Sequence, residues 1–266
     1  MPFFLRKKKM TLSGAVRCHI GRVRQNNEDN FYFSGEFFSP DILDRGCSRE
    51  GEFDLSTDPV FAVCDGMGGE EDGETAAYMA VTGIASEAAR PAPDWETALK
   101  NISRSISLGS LPGTTRGCTA ALISFSSGRA HVFNVGDSRI YLFRRNSLRQ
   151  LSRDHSPVYE MYEAGLITRD EARLHPRNNI ISRFLGMEET GSFDPFAHRV
   201  SVRYRPGDIF LICSDGLSDL IPDLILQNKL LEGGTVRSAA DRLLREALDR
   251  GGRDNVTLIL LKVRQQ

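Results

Sequence analysis

Short apolar runs that stop at glycine-bearing turns recur along the chain. Phe61-Ala62-Val63-Cys64 runs into Asp65-Gly66-Met67-Gly68-Gly69, Val132-Phe133-Asn134-Val135 into Gly136-Asp137-Ser138, and Ile209-Phe210-Leu211-Ile212-Cys213 into Ser214-Asp215-Gly216. Short apolar runs bounded by turn residues are the pattern of buried strands. Each of these strands therefore delivers one carboxylate into a turn where the backbone can approach a ligand or ion closely.

The rest of the pattern supplies the other elements. Residues 14–33 read as two strand-like pieces around a polar segment from Arg24 to Asn30, and residues 34–59 as a long hairpin loop or variable insertion. The alanine-rich run 74–90 predicts a helix packed closely on a sheet. Residues 95–108 predict a second, with Trp95, Ala98, Leu99, Ile102 and Ile106 on one face and Pro91 and Pro93 making the break between the two. Residues 118–125, 129–135 and 138–144 predict three successive strands, read as an antiparallel meander, followed by a short piece at 148–151. Residues 158–164 and 168–174 then form a small helical excursion, strand returns at 193–202, and an amphipathic helix at 235–250 precedes a last strand at 256–263. Strands gathered around two central helices, with more helices late, give an α+β class with two packed sheets covered by helices.

Composition adds limits. At 266 residues the chain can build one substantial core, and its 40% hydrophobic and 26% charged residues are ordinary for a globular domain. Lys plus Arg, 34, almost balances Asp plus Glu, 35, so no global field favours nucleic acid or an anionic membrane. No run approaches the roughly 18 to 20 apolar residues of a membrane span. Arg6 to Lys9 put a basic cluster in what reads as a flexible tail, residues 1–13, before a single domain from 14 to 266. Cys64, Cys118 and Cys213 fall inside apolar strands and read as structural thiols in a reducing compartment, so the expectation is a cytoplasmic monomer.

The chemistry lies with the acids. Glu28, Asp29, Asp65, Asp137, Asp215 and Asp254 all sit at turns or strand ends beside Gly, Asn or Ser. Hard divalent cations such as Mg²⁺ and Mn²⁺ take oxygen ligands, and no Cys/His spacing suggests zinc. One such acid is ordinarily a turn former or cap; six together are not.

The motifs carrying this set resemble, in order, those of the metal-dependent protein phosphatases, the type 2C serine/threonine phosphatases, in their bacterial form. They are Arg24-Gln-Asn-Asn-Glu28-Asp29, Asp65-Gly-Met-Gly-Gly69, Gly117-Cys-Thr119, Gly136-Asp-Ser-Arg139, Ile181-Ser-Arg-Phe-Leu-Gly186, Ser214-Asp-Gly-Leu-Ser-Asp219 and Gly252-Arg-Asp-Asn255. The resemblance spans roughly residues 14 to 263 and implies a β-sandwich of two antiparallel sheets flanked by helices, with a flap at about 155–185. It implies two Mn²⁺ or Mg²⁺ ions in the core site and a weaker third. Asp65 resembles the bridging ligand, the Gly66 carbonyl a ligand of the first ion, and Asp215 and Asp254 ligands of the second, with Glu28 contributing directly or through water. Asp137 with Asp215, and Asp219 beside them, resembles the third site. Asp29 resembles a water-holding acid, and Arg24 the arginine that grips the substrate phosphate.

The implied reaction is hydrolysis of phosphoserine or phosphothreonine in a protein by a metal-activated water, opposing a bacterial serine/threonine kinase. No covalent nucleophile is needed, which leaves the cysteines structural. Many eukaryotic members carry His where this chain has Met67; Met67 cannot donate a proton, and the acid role is left to a metal-bound water. His155 and Arg139 read as structural, the latter bracing its turn by pairing with an acid. Arg183 stands evenly between a structural and a substrate role, and Asn255 is expected to orient Asp254 or its turn. Two rivals stand beside this reading. A catalytically dead binding module is disfavoured by the presence of Asp65, Asp215 and Asp254; the other rival is a two-metal hydrolase of another phosphate ester, a nuclease or small-molecule phosphatase, and the neutral charge and the lack of a basic, aromatic-studded stripe argue against nucleic acid.

Overall fold

The computed structural model describes residues 9–67, 72–110, 116–187 and 196–266. Its strands are β1 (Met10–His19), β2 (Asp29–Phe33), β3 (Cys47–Asp54), β4 (Val60–Met67), β5 (Gly117–Cys118), β6 (Ala120–Ser126), β7 (Arg129–Val135), β8 (Arg139–Arg144), β9 (Ser147–Gln150), β10 (His198–Arg203), β11 (Ile209–Cys213) and β12 (Val256–Gln265). The helices are α1 (Pro40–Leu43), α2 (Asp72–Ala88), α3 (Trp95–Leu108), α4 (Pro157–Glu163), α5 (Arg169–Arg173), α6 (Asp215–Ser218), α7 (Asp223–Leu231) and α8 (Val236–Asp249). One sheet has the order β3-β1-β12-β11-β8-β9; the other runs β10-β7-β6-β4-β2, with β5 paired to the end of β4.

Alternation along the strands divides their side chains among three cores. Leu12, Phe31, Phe61, Phe125, Phe210 and Ile259 point between the sheets. On the outer face of the second sheet, Ala62, Cys64 and Leu122 meet Ala76, Ala80 and Ile84 of α2 and Leu99 and Ile106 of α3. The alanines let α2 lie close, and Gly83 is required where Ile102 of α3 crosses it. On the outer face of the first sheet, Leu211, Leu258 and Leu260 meet Leu226 of α7 and Ala240 and Leu243 of α8. The result is a helix–sheet–sheet–helix sandwich, the α+β architecture expected.

Four details differ from expectation. The tail ends before residue 13: the alternating Met10-Thr11-Leu12-Ser13 pairs with β12 and opens β1, with Leu12 fully buried. Residues 34–59 are not all loop, because β3 pairs with β1 along its length as an edge strand. Its charged, exposed Arg49, Glu50 and Glu52 hid it among loop-like residues, although charge is what protects an open edge. The meander is broken, since β6 and β7 pair in one sheet while β8 pairs with β11 in the other. Finally, α7 follows Pro222 where no element was expected; it buries only Leu226 and Leu230, so its periodicity is weak.

Candidate metal centre

The β7–β8 crossing matters because Asp137 lies on it. Gly136 makes the crossing at φ +98°, and a Cβ there would strike the Thr119 side chain. The other acids converge on the same edge of the sandwich. Asp65 on β4 stands opposite Asp29 on β2 in register. Asp215 opens α6 directly after β11, and Asp254 precedes β12.

Crowding shows in their titration. Asp65 is driven well above the usual carboxylate range by burial and then by the charges of Asp215, Asp29, Asp137 and Asp254. Asp137 is raised by burial, Asp215 and Asp154, and Asp215 by burial and Asp254. Asp219 is pushed up to about 7 by burial and Asp215. Asp29 is also raised to about 7, by burial, with the hydrogen bond from Ser214 acting the other way. Glu28 is raised by burial against the pull of Arg24. Carboxylates that raise one another in this way need a cation to ionise together.

The residues present fit hard divalent cations. Asp29 is 2% exposed, and its Oδ1 has no hydrogen-bond partner although Oδ2 accepts from Ser214 Oγ at 2.8 Å. Gly66 has its backbone so close to Glu28 and Gly73 that a Cβ could not be accommodated, which brings its peptide to the acids. Among the described residues, no three His, Cys, Asp or Glu side chains close into a ready coordination cage. Mg²⁺ keeps several waters and takes few carboxylates directly, so an open ring of oxygen donors suits it, whereas a structural zinc site is closed.

The backbone between these acids is fixed by amides and hydroxyls. Asn255 accepts from the Glu28 N–H at 2.8 Å and donates to the carbonyls of Ile20 and Asn26 at 2.9 and 3.0 Å, so it orders the loop bearing Arg24 and Glu28. That loop is further held by Asn27, whose Nδ2 donates to Cys18 Sγ and the Leu43 carbonyl, each at 3.1 Å. Thr119 Oγ1 accepts from the Asp65 N–H at 3.0 Å and lies 2.7 Å from Ser138 Oγ, joining the end of β4 to the Asp137 turn. Ser214 likewise accepts from the Thr257 N–H at 3.1 Å while holding Asp29. Thr119, Ser138, Ser214, Thr257 and Asn27 were given no role by the sequence; all but Thr257 stand inside the quoted motifs, which is the signal that was there.

Arg24 is exposed, and its Nη2 donates to Asp254 Oδ2 at 2.8 Å; this contact raises its pKa. Arg139 clasps Asp154 at 2.7 and 2.8 Å and has the bracing role expected of it. His155 is structural too: Nδ1 accepts from the Gly136 N–H at 3.1 Å, its own N–H reaches the Gly136 carbonyl at 2.9 Å, and its carbonyl accepts from Ser182. Arg183 donates to the Phe196 carbonyl at 2.8 Å. Met67, half-buried, pairs with Gly117 at the end of β4, whereas Gly68 and Gly69 lie outside the described residues. All five cysteines are buried and free, and burial holds the Cys18 thiol up at about 12, far from a reactive thiolate.

Residues 155–185 stand beside this edge. Leu185 bridges to Cys118, and Asn178 Nδ2 donates to Asp219 Oδ2 at 3.3 Å. Asn178 is a further residue whose position no sequence pattern announced.

Comparison with known proteins gives the same architecture. The serine/threonine phosphatase stp of Listeria welshimeri is 32% identical over 258 residues, covering 92% of this chain and 94% of that protein. The crystal structure of the Mycobacterium tuberculosis serine/threonine phosphatase PstP/Ppp matches with a TM-score of 0.75 at 30% identity, over 96% of this chain and 99% of that one. The PstP catalytic domain in complex with two manganese ions matches with a TM-score of 0.73 at 29% identity, covering 96% and 99%. The family model described as Protein phosphatase 2C matches residues 42–256, so the chain belongs to the protein phosphatase 2C family.

Proposed function

We propose that this chain is a metal-dependent serine/threonine protein phosphatase that hydrolyses phosphoserine and phosphothreonine in protein substrates. The observation that carries the reading is the convergence of Asp29, Asp65, Asp137, Asp215 and Asp254 from both sheets into one cluster, in which burial and neighbouring negative charge raise Asp29, Asp65, Asp137 and Asp215, with Arg24 at its rim. Asp65, Asp215 and Asp254, with Glu28 and the Gly66 carbonyl, would hold two Mn²⁺ or Mg²⁺ ions, and Asp137 with Asp219 a third. When bound, such ions lower the pKa of a coordinated water and offset charge on the phosphoryl oxygens.

The chain's own residues do the rest. Arg24 presents a planar fork to the phosphate from a position already oriented by Asp254. Asp29, anchored by Ser214, keeps its second oxygen for a water or ligand and thereby orients the donors around it. Met67 has no proton to give the departing alkoxide, so the acid role would fall to a water held at the metal centre.

The substrate is a phosphoprotein, and its source a cognate serine/threonine kinase. No helix among the described residues is long and apolar enough to cross a membrane. Five free, buried thiols support a reducing, cytoplasmic setting. The test is release of inorganic phosphate from a phosphothreonine peptide: Mn²⁺ should stimulate it and a chelator stop it, and a purified, Mn²⁺-supplied protein that releases none would overturn the reading.

A further inference from the structure

Between residues 155–185 and the α6–α7 segment lies a cavity of about 340 Å³ that reaches the acid edge, since Asp137 and Asp219 line it. Its wall on the α4 side is aromatic: Tyr159 and Tyr162 meet edge to face at 5.7 Å. Leu224 of α7, 64% exposed, lies across from them. A chamber with an aromatic wall and a charged lining, opening beside the acid edge, has the form of a substrate subsite.

Its charges decide what it takes. Three arginines line it, Arg139, Arg169 and Arg173. Arg139 is held by Asp154 at 2.7 Å, and Arg169 by Asp223 at 2.6 Å and by Gln150 at 2.7 Å. Arg173 is different: it makes no ion pair with a described residue, and its Nε is buried without a hydrogen-bond partner. Ser218, 1% exposed, is a lining residue of the same cavity, and its Oγ also lacks a hydrogen-bond partner among the described residues. Buried donors left unmade cost free energy, and two such donors on residues lining one chamber invite a common acceptor. Of the remaining acids there, Asp137 and Asp219 belong to the metal centre and Asp170 is exposed at the start of α5. Asn178 Nδ2 joins the Arg173 carbonyl and Asp219 Oδ2, each at 3.3 Å, so the backbone that carries Arg173 is tied to the acid edge.

We propose that this cavity is a subsite for an acidic side chain flanking the phosphorylated residue, with Arg173 as the cation that reads it and Ser218 as a second donor. Arg173 is thus a specificity-determining residue, and the proposal rests on the phosphatase reading above. A carboxylate there takes a charge-assisted hydrogen bond from Arg173, with its methylene stem against the tyrosines.

The experiment measures kcat/KM on Mn²⁺-loaded enzyme for matched phosphothreonine peptides carrying Glu, Ala or Lys at each near flanking position. Only ratios between peptides are read, so the fraction of correctly folded enzyme cancels. The wild type should prefer Glu over Ala at one position by roughly fivefold to twentyfold, the size of one half-buried charge-assisted contact. Arg173→Ala should bring that ratio to about one, Arg173→Lys should keep most of it, and Arg173→Glu should turn the preference toward Lys. A wild type with no Glu preference, or an Arg173→Ala enzyme that retains it, overturns the subsite. If no peptide releases phosphate at all, it is the phosphatase reading that fails.

Discussion

Asp29 and Asp65 face each other across two paired strands, and Asp29 is the more deeply buried of the two. A carboxylate that is held by Ser214 on one oxygen and unpartnered on the other orients its surroundings more than it binds them. Asp29→Asn keeps the shape and the Ser214 contact but halves the acceptor capacity. It should weaken Mn²⁺ binding by about 10- to 100-fold, the range for groups that position metal ligands; titration of Mn²⁺ by calorimetry checks this, and unchanged affinity would remove Asp29 from the centre. Arg24 makes a different case. Its planar fork suits a phosphate dianion, so Arg24→Lys should lose about 10-fold or more in kcat/KM on phosphopeptide despite keeping the charge; equal kinetics would mean that charge alone suffices. The acids and Arg24 were legible because a carboxylate beside glycine at a strand end is a local pattern. Thr119, Asn27 and Asn178 were not, because their roles depend on partners 54, 16 and 41 residues away in the chain.

At the scale of elements, the turns do the positioning. Gly216 in α6 lets the backbone between Asp215 and the Asp254–Asn255 turn come together, and a Cβ there would overlap the Asn255 carbonyl oxygen. Gly216→Ala should therefore cost roughly 2 kcal/mol or more of stability and loosen both acids at once; a urea unfolding midpoint equal to that of the wild type would contradict the close approach. The β7–β8 crossing is held by His155, whose pKa is drawn down to about 3 by burial and then by Arg183, His198 and Arg153. Unfolded, the imidazole takes its proton near 6.5, whereas the folded ring stays neutral to about 3, so between those values the unfolded chain binds the extra proton. The contribution of His155 is complete above about pH 6.5 and is lost below it, by up to about 1.4 kcal/mol per pH unit. The raised carboxylates act in the opposite sense, so the difference between wild type and His155→Gln isolates the effect. Wild type should lose stability more steeply than the variant on acidification below about pH 6.5, and parallel curves would show that the ring is not held neutral. The strands and the two central helices were legible as elements because periodicity is local. The assignment of β8 to the other sheet was not, since antiparallel neighbours in sequence pair by default and only the turn at Gly136 diverts the chain.

For the whole molecule, the sandwich exists to bring strand ends from two sheets to one edge. Each sheet buries one face against the other and its second face under helices, so the strands cannot slip register without exposing a core. The layered class followed from strand runs and helix patterns, and the family from the spacing of its acidic motifs. Edge strand β3 was hidden by its charges, and α7 by its lack of a clear apolar stripe. What that rigid frame achieves is a cluster of carboxylates that would repel one another without a cation. The most direct measurement is a single Mn²⁺ titration of wild type and Asp65→Ala, following bound metal and phosphate release from a phosphothreonine peptide together. Wild-type turnover should rise with metal occupancy and vanish with chelator, while Asp65→Ala, folded by circular dichroism, should lose at least about 100-fold in both affinity and turnover. Phosphate release that persists in chelator, or that survives in Asp65→Ala at the wild-type rate, would contradict the account.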